Sequence, residues 1–286
     1  MSASARAAPY WLASPATLVM LALVALPLIL TLSLSFYTFD PASGIKETLT
    51  LANYRAVLTD DYYYGIFLRT FWLALLVTLL SVLIGVPEAY VLLRMSERWR
   101  AVFMVVVLGP LLVSVVVRTL GWAVLLGSEG IINGALRALG LIDEPIRMMF
   151  TFGGVLVALT HVLAPFMVLA VWTSLQKLDP ATEQAAESLG ASTATVMFRI
   201  VFPQVMPGIL SGSMIVFALA ASAFATPAII GGRRLKVVPT AAYDEFLSAL
   251  NWPLGAAIAV LLLIAVLVIT IGVNRAVERR FRQVFA

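Results

Sequence analysis

Six apolar runs, each long enough to cross a bilayer, constrain this chain more than any other feature. A helix needs roughly 20 apolar residues to traverse the hydrocarbon core, because each residue advances about 1.5 Å. Segments 16–37, 66–93, 101–124, 150–174, 204–229 and 255–275 meet that requirement. The first is longer than a signal-peptide core, and no small-x-small cleavage pattern follows it, so it reads as a retained span. Composition agrees: 62% of residues are hydrophobic and 12% charged, against about 45–50% and about 25% in soluble domains. The expected fold is an all-α integral membrane protein of six transmembrane helices, a single domain over residues 1–286.

Six spans place both termini on one side. Arginines beside spans, in Arg94–Arg100 and in the tail after Asn274, argue that this side is cytoplasmic. The bias is slight, since ten of the 19 Lys and Arg fall on that side. The absence of cysteine excludes disulfides and thiolate metal sites. The modest net charge of +4 fits cytoplasmic loops rather than nucleic-acid binding. The outer connections 38–65, 125–149 and 230–254 each have room for a short surface helix, and Ile132–Leu141 has helical apolar spacing.

One connection is different. Residues 176–203, between spans 4 and 5, form a mixed, charged, helix-favouring loop. Asp179 followed by Pro180 is a helix start: a side-chain acceptor at the N-cap, then a proline whose missing N–H costs nothing there. Ala181, Ala185 and Leu189 fall on one face of that helix, and Glu183 and Glu187 on another. Gly190 ends it, and Ser192 or Thr193 can cap a second helix over 194–201. Pro203 and Pro207 mark the return to the membrane. Glu183 and Glu187 are like charges four apart, which costs about 0.2–0.5 kcal/mol unless something answers them.

Gln184-Ala185-Ala186, Gly190 four residues after Ala186, then Ile200 and Pro203 resemble the cytoplasmic-loop motif of permease subunits of ATP-binding-cassette importers. Two positions depart from the family pattern: Gln184 stands where glutamate is usual, and Phe202 where leucine is common. The segments ANYRAVLTD, LGSEGIINGALRALGLIDEPIRMMFT and NWPLGAA are similar to the spermidine/putrescine-type branch. The resemblance implies that the loop is a coupling helix seated on a cytoplasmic ATPase dimer. Glu183, Gln184, Ala185, Ala186, Glu187, Gly190, Ile200 and Pro203 would then make up the docking segment. It also implies a second permease subunit in a heterodimer, an extracytoplasmic solute-binding protein, and a multi-pass place in the bacterial inner membrane. The chain has no GxxxxGK[ST] sequence to cradle phosphates. ATP and Mg are therefore expected on the partner ATPase, with no cofactor and no catalysis in this chain.

Polar residues within or beside spans are the candidates for the substrate pathway. His161, the single histidine, is central in span 4, and Pro165 frees its carbonyl. A broken helix at mid-depth suits a substrate site; a histidine tied to a neighbouring helix suits the same residues. Arg118 and Trp122 are expected near the outer end of span 3. Trp122 reads as an interfacial anchor or a pathway residue, and Arg118 as snorkelling, paired with an acid, or lining the path. Arg69 has a comparable position in span 2. Glu88 is expected to pair with a loop arginine or to gate the path. In the last outer loop Asp244 and Glu245, flanked by Tyr243 and Phe246, either attract a polyamine or form the wet face of a helix. The small residues of span 5, Gly212–Met214 and Ala218–Ala228, allow close packing or line a cavity.

Two other classes of function compete. An intramembrane serine protease needs a nucleophile beside a base, and one histidine with no G-x-S-G leaves it unsupported. An ion-driven secondary transporter usually holds carboxylates at mid-membrane, and the spans show none there.

Overall fold

The structure is a computed structural model and describes Ala3–Arg280. The helices are α1 (Ala3–Ser35), α2 (Ala52–Thr59), α3 (Asp61–Arg94), α4 (Glu97–Leu112), α5 (Val115–Leu126), α6 (Ile131–Ala138), α7 (Phe152–Leu175), α8 (Pro180–Ser188), α9 (Thr193–Val196), α10 (Phe202–Ala221), α11 (Val238–Leu247) and α12 (Trp252–Arg280). Six helical stretches are long and apolar enough to cross a membrane: Ala13–Ser35, Asp61–Arg94, Val115–Ala138, Phe152–Leu175, Thr193–Ala221 and Trp252–Val277. Among the described residues the one departure from an all-helical chain with strand structure is a short antiparallel hairpin, β1 (Thr38–Asp40) with β2 (Gly44–Lys46). The Lys46 ammonium beside Asp40 holds that carboxyl well below the usual carboxylate range. Each long connection does contain a short helix: α2, α6 and α11.

Two expected spans need correction. The apolar run 101–124 is not one helix; it divides into α4 and α5 at Val113 and Ser114, both extended (ψ 139° and 134°). Pro110, three residues before the break, lies inside α4 and cannot donate to the Val106 carbonyl. The fifth span begins earlier and ends earlier than 204–229. A π-helical turn over Met197–Val201 joins α9 to α10, so helix runs without interruption from Thr193 to Ala221. Pro203 and Pro207 sit inside it, and Pro227 instead starts a separate π-helical turn, Pro227–Gly231.

The chain divides into two compact units: one formed by the residues up to Tyr64 with Ala241–Leu263, the other by Gly65–Thr240 with the residues from Ile264 on. In the first, Asn53 donates to the carbonyls of Ser35 and Tyr37, and Ser35 bonds the Tyr54 hydroxyl at 2.6 Å, fastening α2 to the end of α1. The apolar stretch of α1 buries none of its residues within the chain, as expected of a helix whose solvent is lipid or another subunit.

In the second unit α7 is the central helix. Val155, Ala158, Met167, Val168 and Val171 are fully buried on it. Its main neighbour is α10, and the small residues of that helix act as a packing face. A Cβ on Gly212 would lie 2.7 Å from Met167 Sδ and 3.0 Å from Ala170 Cβ, and one on Gly208 would lie 2.7 Å from the Ala170 carbonyl oxygen. Overpacking a tight core costs about 1–3 kcal/mol. Gly212→Leu is therefore expected to lower the thermal midpoint of the solubilised protein by several degrees; an unchanged midpoint would mean that the two helices are free to separate.

Asn133 of α6 staples the α5–α7 connection. Fully buried, it donates to the carbonyls of Gly127 and Ile146 at 3.0 Å and accepts the Ile146 amide at 2.9 Å.

Candidate functional site: the polar loop and the membrane cavities

The helix start expected at Asp179 is built as the residues dictate. Asp179 Oδ1 accepts the Ala181 amide at 2.9 Å, and Pro180 opens α8. Leu189 closes it, and Gly190 has φ +82°, a left-handed conformation that glycine adopts without steric cost. Ser192 caps α9 by accepting the Thr195 amide at 3.3 Å.

The two faces of α8 have separate tasks. Glu183 is 7% exposed and turned inward, where its carboxylate pairs with Arg94 at the end of α3. Arg94 also donates to the Tyr90 hydroxyl at 2.8 Å and lies over that ring at 5.1 Å. The ion pair answers one of the two like charges. Gln184 and Glu187 line a groove of about 460 Å³ with Arg94, Glu183, Leu175 and Gln176. On the opposite face Ala181, Ala185 and Leu189 all point outward, with Leu189 88% exposed. Ala186 is half-buried and Gly190 exposed, with open space where its side chain would be. Ile200 and Pro203 are half-buried at the start of the continuous helix, and Ile200 packs on the core. Sequence reasoning placed Leu189 on the small-residue face without making it a contact. It also passed over Phe198, 72% exposed one turn beyond α9. Large apolar side chains in a charged loop are the signal that marks both.

A small, apolar, solvent-facing strip on a short helix suits a partner's groove. The Glu183–Arg94 pair fastens that helix to the end of α3. Near the same end Arg100 lies over the Trp172 ring at 5.8 Å and ties the start of α4 to α7.

The membrane candidates are distributed over two cavities. Trp122 Nε1 donates to His161 Nδ1 at 3.1 Å, with the rings edge to face at 5.4 Å. Trp122 is therefore a partner of His161. His161, Trp122, Pro165, Thr160 and Glu88 line a cavity of about 410 Å³ between α3, α4, α5 and α7. Among the described residues no ion pair involves Glu88. Of its two alternatives, pairing with a loop arginine is thus absent among them, and the carboxylate faces the cavity.

Arg118 lines a second cavity, of about 460 Å³, together with Leu159, Val162, Leu163 and Phe166 of α7 and Leu219 and Ser222–Thr226 at and beyond the end of α10. The break at Val113–Ser114 turns the chain, so a count along one straight axis from Arg100 does not give its position. Arg69 is satisfied by the Lys236 carbonyl at 2.9 Å. Asp244 and Glu245 belong to the other compact unit, on α11, where Glu245 accepts the Tyr63 hydroxyl at 3.1 Å.

Residues 84–283 match the family described as binding-protein-dependent transport system inner membrane component. The spermidine/putrescine transport system permease protein PotB of Salmonella typhimurium (strain SL1344) is 35% identical over 241 residues, 84% of each chain. PotB of Escherichia coli (strain K12) is 34% identical over 241 residues, 84% of this chain and 87% of its own. The fold matches a chain of a bacterial alginate ABC transporter, solved in complex with an alginate pentasaccharide-bound periplasmic protein. That match has a TM-score of 0.81 at 16% identity and covers 96% of both chains.

Proposed function

The chain belongs to the family of binding-protein-dependent transport system inner membrane components, and from that premise we propose that it is the membrane subunit through which a separate ATPase drives import of a polyamine or related small organic cation. The outward strip of Ala181, Ala185 and Leu189 on a helix anchored by Glu183 and Arg94 supports this reading more than any other observation. Gln184, Ala186, Glu187 and Gly190 border the strip, and the continuous helix through Ile200 and Pro203 carries its displacement into α10. ATP and Mg are held by the ATPase dimer, which closes when nucleotide binds. Closure moves α8, and α3 and α10 follow as rigid helices, so the membrane body rocks between outward and inward access. The full assembly pairs this chain with a second permease subunit and receives cargo from an extracytoplasmic binding protein. Both termini lie in the cytoplasm.

Energy source separates this reading from an ion-driven transporter. In proteoliposomes holding the assembled complex, with receptor outside and ATP inside, uptake should persist under a protonophore and cease when the ATPase subunit is omitted. Uptake that instead collapses with the proton gradient removes the proposal. The cargo class rests on likeness to the PotB proteins and on the carboxylates of α11. Calorimetric titration of the receptor with spermidine, putrescine, an inorganic anion and a sugar tests it; preference for either of the last two overturns the cation assignment.

A further inference from the structure

Three arginines of the second unit converge where no acid answers them. Arg147, shortly before α7, and Arg233 and Arg234, just beyond the turn Pro227–Gly231, line one cavity of about 390 Å³ with Ser128, Met149 and Phe150. No carboxylate lines it, and among the described residues none of the three arginines makes an ion pair. The acids nearest in sequence are placed otherwise: Glu129 pairs with Arg137 at 3.5 Å, and Asp143 and Glu144 are exposed.

Two sets of contacts hold this cluster together against its own repulsion. Asn133 binds the carbonyls of Gly127 and Ile146 and the Ile146 amide, which fixes their neighbours Ser128 and Arg147 at the cavity. The Phe150 amide donates to the Ile230 carbonyl at 2.8 Å, bringing the segment after Arg147 beside the turn that carries Arg233 and Arg234. Phe150 takes φ +61° there, and its ring lies so close to Gly232 that a Cβ on that glycine would come within 2.9 Å of it. A bulky residue at positive φ persists only where its surroundings over-determine it.

Cations gathered round a concavity, with nothing in the chain to neutralise them, have the chemistry of an anion site. A guanidinium offers a phosphate two parallel N–H bonds, and the volume falls within the roughly 300–1,000 Å³ of small-ligand sites. The apolar rim narrows the choice of anion. Phe150 is 46% exposed, and Ile146, next to Arg147, is 47% exposed. Thr151 then caps α7, a helix long and apolar enough to cross a membrane, so the cluster stands at the end of a span. Basic groups beside a span, edged by apolar side chains, match a phospholipid.

We propose that this cavity binds the headgroup phosphate of an acidic phospholipid. Three guanidinium groups favour a net-negative headgroup such as phosphatidylglycerol and repel the ammonium of a zwitterionic one. The assignment needs only the family's place in the inner membrane; it does not rest on the cargo or the energy source proposed above.

The chain has no cysteine, so Ser128→Cys, exposed at the cavity, reports occupancy through its rate of reaction with neutral N-ethylmaleimide. The assembled complex is placed in nanodiscs of phosphatidylethanolamine, with or without phosphatidylglycerol. Each basic residue beside a membrane strengthens acidic-lipid binding roughly fivefold. Phosphatidylglycerol should therefore slow alkylation at least fivefold, and the slowing should vanish when Arg147→Gln, Arg233→Gln and Arg234→Gln are combined. Leu139→Cys, 72% exposed and outside the cavity, should react alike in both lipids, which separates occupancy from a general effect of surface charge. Equal rates for Ser128→Cys in the two lipids overturn the proposal. So does equal slowing by inorganic phosphate in phosphatidylethanolamine discs, which makes the ligand a free anion. Slowing by the solute-binding protein and not by phosphatidylglycerol also overturns it, making the arginines a protein contact. If Ser128→Cys does not assemble, native mass spectrometry of the cysteine-free complex carries the test. Phosphatidylglycerol adducts should then exceed phosphatidylethanolamine adducts at least fivefold, and the same excess in the triple arginine variant overturns the site.

Discussion

Replacing Ala185 with tryptophan should stop import while the membrane body stays folded. Ala185 is exposed on the outward face of α8, so the larger side chain meets only solvent in the isolated chain and the thermal midpoint should not move. Against a partner seated on that face, an indole occupies the volume where the groove wall must come. Losing 1.4 kcal/mol of docking already lowers affinity about tenfold, and a steric block of this size exceeds that. Uptake and co-purification of the ATPase should both fall at least tenfold. Leu189→Asp attacks the same surface by subtraction. Covering a leucine that is 88% exposed contributes about 1.5–3 kcal/mol, so its loss should weaken ATPase retention roughly 10- to 100-fold. Gly190→Ala is a less clean probe, because φ +82° adds backbone strain of about 1–2 kcal/mol to any effect on docking. Wild-type uptake and ATPase retention in Ala185→Trp would show that force does not enter through this helix.

The second large effect concerns what α8 hangs from. Arg94→Met leaves the Glu183 carboxylate, with a side chain only 9% exposed, without its cation. Removing one member of a fully buried pair costs about 3–5 kcal/mol. The Arg94 side chain is 54% exposed, and solvent screening reduces that to about 1–3 kcal/mol. The cost falls on the attachment of α8 to α3 and not on the core around α7. Amide exchange over Ala181–Ser188 should accelerate roughly 5- to 100-fold while α7 amides keep their protection. Uptake should drop, because displacement of α8 no longer reaches the span. Glu183→Gln keeps an acceptor for the guanidinium and should have the smaller effect. The double replacement Arg94→Met with Glu183→Met should recover much of the protection, since an apolar pair can substitute for a buried ionic one, without restoring the directional link. Unchanged exchange over α8 in Arg94→Met would show that the ion pair does not hold the helix.

The parts of the site legible in the sequence are those whose cause is local. Asp179-Pro180 starts α8 and Gly190 stops it through side-chain and backbone chemistry within three residues of each terminus. The strip of Ala181, Ala185 and Leu189 follows from helical spacing alone. Where the reading failed, the cause was not local. In the run 101–124 only Ser114, Arg118 and Thr119 interrupt the apolar residues, too little to mark the break at Val113–Ser114. The hydrogen bond from the Trp122 indole N–H to His161, 39 residues away, is likewise absent from any local pattern.

The sequence alone therefore determined the number of helices long and apolar enough to cross a membrane, the helical state of nearly the whole chain, and the position of the polar loop that carries α8. Hydrocarbon forces every backbone amide to find its partner within its own helix, and that requirement can be read from run lengths. Only the tertiary structure decided which polar side chains are satisfied. Glu183 meets Arg94 across 89 residues and Thr119 meets Thr226 across 107, while Arg118 and Glu88 face cavities. Those outcomes depend on how helices far apart in the chain are brought side by side, and periodicity within one helix carries no record of its neighbours.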